Sequence, residues 1–128
     1  DYQNDGNWFQ FNSNQTPNAE ICFDFKNMQV QLTSYSIKTN SWPKNNDHLK
    51  SWILEVSKDG NKWEKIDEHN NDSQLNSPYA VATFNTKETN SFYRYVRLTQ
   101  TGPNWQNDYH TAFSMIEFHG KLITPTSK

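Results

Sequence analysis

Two short stretches of this sequence collect the side chains best suited to gripping another molecule. Residues 40–50, NSWPKNNDHLK, bring together Trp42, Lys44, His48 and Lys50; residues 101–111, TGPNWQNDYHT, bring together Trp105, Asn107, Asp108, Tyr109 and His110. Trp42, Trp105 and Tyr109 offer flat apolar faces that suit a pyranose ring or an aliphatic side chain. Asn107, Asp108, His48 and His110 supply directional hydrogen bonds to hydroxyls, and Lys44 and Lys50 suit an acidic group. The same residues have a structural alternative. Trp42 and Trp105 can cap the ends of a β-sandwich, and Asp108 can brace its own loop through an Asx-type turn.

Nothing comparable supports catalysis, which needs a positioned acid, base or nucleophile. His48, His69, His110 and His119 are scattered without metal-ligand spacing. No G-x-S-x-G and no glycine-rich phosphate loop occurs. The acidic pair Asp67-Glu68 opens a stretch, residues 67–78, that reads as a polar connection. Cys22 is the only cysteine, so no internal disulfide forms. Its neighbours Ile21 and Phe23 predict a small buried thiol in a strand. Asp5-Gly6-Asn7 is too little to assign a metal site. The expectation is a chain that is not an enzyme, with no cofactor and no metal.

Charge narrows the partners. Twelve basic against fourteen acidic residues, spread along the chain, leave a net charge of −2 and no basic run, which excludes a nucleic-acid footprint. No stretch of about 18 apolar residues exists, so no membrane span is expected. The chain opens on Asp1, not Met, and reads as a piece of a larger protein with flanking domains. Its 128 residues fit one domain, taken as 1–122 with a tail at 123–128.

The elements that must position the two stretches are strands. Ile21, Phe23 and Phe25 share one face of a first run, with Cys22 and Asp24 on the other. From Met28 to Thr39, Val30 and Leu32 are in phase, and Tyr35 and Ile37 are in phase with each other but shifted by one; such a slip predicts a bulge near Thr33-Ser34. Trp52, Leu54 and Val56 alternate inward between Ser51 and Ser57. Lys58-Asp59-Gly60-Asn61-Lys62 then reads as a hairpin turn with Gly60 at positive φ, and Trp63 and Ile66 begin the return, with Trp52 and Trp63 both assigned to the core. Further strands read at 80–84, 93–101 and 114–122, where Arg94 sits in phase with Val96 and Leu98 as a buried partner for Asp24 or Glu117. Six or seven strands without helices predict an all-β antiparallel jelly-roll sandwich.

Four stretches resemble the discoidin (coagulation factor 5/8 type C) family of the galactose-binding-like fold. They are ICFDFKNMQVQLTSYSIKT (21–39), WILEVSKDGNKWEKI (52–66), FYRYVRLTQTG (92–102) and FSMIEFHGKL (113–122), the last with Glu117 and Gly120 where the family pattern expects Glu and Gly. The 101–111 stretch resembles the branch found in large intracellular eukaryotic proteins. The resemblance implies a non-catalytic binding module that uses loops gathered at one edge. It departs from secreted members, which close the domain with a cysteine pair, and this implies a cytoplasmic address with an extracellular one left open. The expected ligand is a protein or peptide partner met through loops 40–50 and 101–111; the alternative is a glycan bound by the same loops.

Overall fold

Alternation of apolar and polar residues sets nearly every strand. The structure is a computed structural model that describes residues 11–12 and 19–125. Among the described residues there are nine strands and no helix: β1 (Phe11–Asn12), β2 (Glu20–Asp24), β3 (Gln29–Lys38), β4 (Trp52–Ser57), β5 (Glu64–His69), β6 (Val81–Asn85), β7 (Tyr95–Gln100), β8 (Ala112–Phe113) and β9 (Met115–Ile123). They form an antiparallel sandwich: a four-stranded sheet ordered β2-β7-β4-β5, a three-stranded sheet ordered β6-β3-β9, and the short β1-β8 pair. No helix of the described residues is long and apolar enough to cross a membrane.

Trp52, Leu54 and Val56 of β4, Val96 and Leu98 of β7, Tyr35 and Ile37 of β3, and Ile116 and Phe118 of β9 meet between the sheets, each at most 2% exposed. Burying an aliphatic or aromatic side chain of this kind contributes about 1.5–3 kcal/mol. The core is not wholly apolar. The Trp52 indole N–H donates to the Tyr35 hydroxyl at 2.7 Å, and that hydroxyl donates to Asp67 Oδ2 at 2.6 Å. His69 stacks on Trp52 with ring centres 4.5 Å apart, and its two ring nitrogens lie 2.8 Å from carboxylate oxygens of Asp67 and Asp72. Burial, reinforced by the neighbouring Asp67, drives the Tyr35 phenol far above its ordinary range.

The register slip read from the sequence is a β-bulge. Leu32 faces Gly120 and Ser34 faces His119, so Thr33 is the extra residue. Gly120, at φ +154°, brings its backbone against the bulge so closely that an added Cβ would overlap the Gln31 carbonyl oxygen. The Asp-Gly turn also forms. Gly60 takes φ +82°, and Asp59 Oδ1 accepts the N–H groups of Asn61 and Lys62 at 2.8 and 3.0 Å.

Several expectations need correction. The connection read over 67–78 begins inside β5, which runs to His69, and beyond it Leu75 and Asn76 are buried. Cys22 is exposed, not buried, because its side of β2 faces outward. Trp63 belongs to the outer face of the four-stranded sheet, where the Arg97 guanidinium lies 3.9 Å from its ring centre. It sits there because it lies three residues before Ile66, an odd spacing that places it on the face opposite that buried side chain. Arg97 is also held by Glu55 at 2.8 Å. Arg94 does pair with Asp24, at 2.7 and 3.0 Å, but at the surface: β7 begins only at Tyr95, so Arg94 never enters the inward phase of Val96 and Leu98. The closing strand includes Ile123, one residue past the expected boundary.

Two expected outcomes follow from this packing. Gly120→Ala should destabilise the protein by more than about 2 kcal/mol, read by chemical denaturation, because the bulge and β9 must separate. The Arg94 guanidinium holds the Asp24 carboxyl down at about 2, against 3.8 unperturbed. A depressed carboxylate stabilises the fold above its unfolded value and loses that contribution as pH falls through the folded one. Asp24→Asn should therefore make the loss of stability between pH 4 and pH 2 shallower than in the unmodified protein, as measured by thermal melts across that range.

Candidate functional site

Both ligand-suited stretches lie at one end of the sandwich. The first connects β3 to β4 and the second connects β7 to β8, and they touch: the Trp105 N–H reaches the His48 carbonyl at 3.4 Å, and His48 bridges Ala112. The connection between β5 and β6 completes this end. Asn45 and Asn76 exchange two hydrogen bonds, of 2.7 and 2.9 Å, and the Asp72 N–H donates to the Lys50 carbonyl at 2.9 Å.

One side chain organises the junction. Asn104 is 1% exposed, and its amide nitrogen faces Asp47 Oδ1 at 3.2 Å, Asp108 Oδ1 at 2.6 Å and the His110 carbonyl at 2.9 Å. Its side-chain oxygen accepts the N–H groups of Gln106 and Asp108. This is an Asx turn serving two loops at once. Below it, Thr111 donates to the buried Gln100 side chain, closing the base of the 101–111 loop.

The carboxyls beside Asn104 behave differently. Burial, then the charge of Asp108, pushes the Asp47 carboxyl up. Asp108 is also pushed up by burial, but the His110 N–H and the Asn104 amide outweigh it and hold the group below its ordinary range.

The expected contact residues divide by exposure. Trp42 and Trp105 are half-buried, neither wholly enclosed nor wholly exposed. The Lys50 ammonium lies 4.5 Å from the Trp105 ring centre, covering part of one face in a cation–π contact. Asn107 is exposed at the loop tip with φ +66°, and Tyr109 and His110 are half-buried. Asp108 does brace its loop, accepting the His110 N–H at 3.1 Å, while keeping partial exposure. His48 needs correction as a contact residue. It is fully buried with Nε2 on the Trp42 carbonyl at 2.8 Å, so it supports the first loop from beneath and does not face a ligand. Its Nδ1 and the Trp105 indole nitrogen are enclosed without a protein partner.

Asn104, Asp47 and Asn76 were not among the expected site residues. Asn104 had a readable signal, an Asn four residues before an Asp in a turn-rich stretch; Asn76 had none, because its partner Asn45 is 31 residues away. Among the described residues no group of three or more His, Cys, Asp or Glu is placed to hold a metal ion. Two grooves, of about 460 and 280 Å³, lie at the opposite end, the first lined by Gln31, Thr33, Asn85 and Thr89 and the second by Lys58, Lys62, Trp63 and Tyr93.

No protein-family model matches the chain. Curated relatives include the E3 ubiquitin-protein ligase hecd-1 of Caenorhabditis elegans, 28% identical over 121 residues, which are 93% of this chain and 4% of that protein. A second is the E3 ubiquitin-protein ligase Ufd4 of Drosophila melanogaster, 30% identical over 79 residues, or 59% of this chain and 3% of that protein. The chain thus spans only a few per cent of the length of these relatives. Among solved structures it is similar to CBM32-3 from a family 31 glycoside hydrolase of Clostridium perfringens, with TM-score 0.65, 14% identity, and coverage of 86% of this chain and 74% of that one. It is also similar to a C. perfringens CBM32-5 solved with GalNAc-β-1,3-galactose, with TM-score 0.58, 15% identity, and coverage of 90% and 96%. At these identities the likeness establishes the galactose-binding-like sandwich, and the fold expectation holds.

The loop geometry carries its own test. Asn104→Ala removes one donor from two carboxylates and the acceptor of two loop N–H groups, so it should cost about 2–3 kcal/mol. A fall in melting temperature of about 8–12 °C, with faster amide exchange at Gln106, Asp108 and His110, is the expected result.

Proposed function

We propose that this chain is a non-catalytic recognition module of a larger protein and that it binds carbohydrate through the loop end carrying Trp42 and Trp105. The observation that carries the reading is the pairing of two part-exposed indoles on loops locked together by Asn104, with Asn107, Asp108 and His110 around them. Indole faces suit the apolar C–H side of a sugar ring, and the surrounding amide, carboxylate and imidazole groups suit its hydroxyls. The structural likeness to family 32 modules, one of them holding a galactose-containing disaccharide, supports this reading over the protein or peptide partner that the sequence placed first.

A second reading keeps the peptide partner. It is favoured by hecd-1, whose matched segment spans nearly this whole chain within a very large ubiquitin ligase. In that reading Trp42 and Trp105 receive aliphatic side chains and Lys44 meets an acidic group.

A glycan array separates the two. The expected result is selective binding to a galactose-containing glycan with Kd of about 10 μM to 1 mM, since few groups converge on an open loop surface. Trp42→Ala and Trp105→Ala should each weaken it about tenfold in protein that remains folded by circular dichroism. An array without signal, combined with a peptide captured from a display library in a Trp42-dependent manner, replaces the carbohydrate reading with the second one.

A further inference from the structure

Tyr79 is the most exposed large apolar side chain of the described residues, 64% accessible, and its backbone sits at φ +53°. A bulky non-glycine residue rarely adopts this left-handed conformation, because Cβ crowds the backbone there. Exposure and strain coincide at a residue that contributes nothing to the core. Strain of this kind persists where the surroundings over-determine it, and it concentrates at functional positions.

The surroundings here are specific. The Tyr79 N–H donates to the Asn40 carbonyl at 2.9 Å, while the Asn40 side chain accepts the Trp42 N–H at 3.1 Å. One residue therefore tethers both aromatics. Thr39 adds two bonds to the same strip, donating to the Ser77 carbonyl and accepting the Ala80 N–H. Positive charge borders the pair. The Lys38 ammonium lies 6.0 Å from the Tyr79 ring centre, and exposed Lys44 precedes Asn45, which is clamped to Asn76. Neither lysine makes an ion pair among the described residues.

We infer that Tyr79 and Trp42 form a second sugar-contacting position flanking Asn40, and that Lys38 and Lys44 select a saccharide bearing an acidic group there. This rests on the carbohydrate reading and extends its site to a third loop, the one between β5 and β6. The Tyr79 ring supplies the apolar face, and the lysines supply the counter-charge to a carboxylate or sulfate.

The test uses immobilised neutral, carboxylate-bearing and sulfated galactosides. The unmodified protein should bind the acidic probes more tightly than the neutral one, and the preference should shrink as salt rises. Carboxylate against sulfate probes identifies the acidic group. Tyr79→Gly, which relieves the backbone, should weaken binding about tenfold while leaving the melting temperature unchanged or higher. Tyr79→Phe should retain binding, and the double substitution Lys38→Ala with Lys44→Ala should erase the acidic preference while leaving neutral binding in place. Undiminished binding by Tyr79→Gly overturns the inference, as does equal loss in Tyr79→Phe, which would assign the effect to the hydroxyl. Persistence of the acidic preference without the lysines overturns the charge assignment. Failure of the unmodified protein to bind any galactoside overturns the carbohydrate reading itself.

Discussion

The hydrogen-bonded chain from Trp52 through Tyr35 to Asp67 joins three strands drawn from both sheets inside an otherwise apolar core. Its position matters as much as its chemistry. Tyr35 lies on β3 shortly before the loop that carries Trp42, Trp52 is the first residue after that loop, and His69 closes β5 just before the loop that carries Tyr79. The network therefore fixes the roots of two of the three loops. A buried hydroxyl and a half-buried carboxylate are costly when unpaired and directional when paired. The sandwich gains a defined relation between its sheets, and the loops inherit it.

What stands on those roots is rigid by internal bonding. Asn104 ties two loops together, Asn45 with Asn76 ties a third, and His48 props Trp42 from below. Surfaces ordered before a ligand arrives lose less conformational entropy on binding. That is a consistent design for a weak, selective contact made by few groups. It also explains why so many polar residues of these loops face inward: they set the positions of a few side chains that face outward.

Strands were legible in the sequence because period-two alternation is a local signal. Trp52, Leu54 and Val56 announce their face within five residues, and the slip between Leu32 and Tyr35 announces the bulge. The same logic failed for Arg94, which sits just outside a strand, since alternation cannot be extrapolated past a strand end; Trp63 was misassigned although its odd spacing from Ile66 already pointed outward. Cys22 was misjudged because apolar neighbours in a strand point to the opposite face. The two loops were recognisable by composition, and they meet as expected. Which of their polar residues support and which protrude was not legible, because His48 and Asn104 are buried by partners distant in sequence, and the left-handed backbone of Tyr79 leaves no mark on composition.

The rim of the three-stranded sheet is an edge strand of a particular kind. Strand β6, Val-Ala-Thr-Phe-Asn, pairs among the described residues with β3 on one side only, and it carries no charge anywhere along its length. Unpaired backbone amides on such a border are a template for a foreign chain, and many proteins guard them with lysine or proline. The length of β6 limits that template: five residues offer few backbone bonds to set against the entropy of capture. Any lengthening of that border in a redesigned variant would need a charge introduced with it.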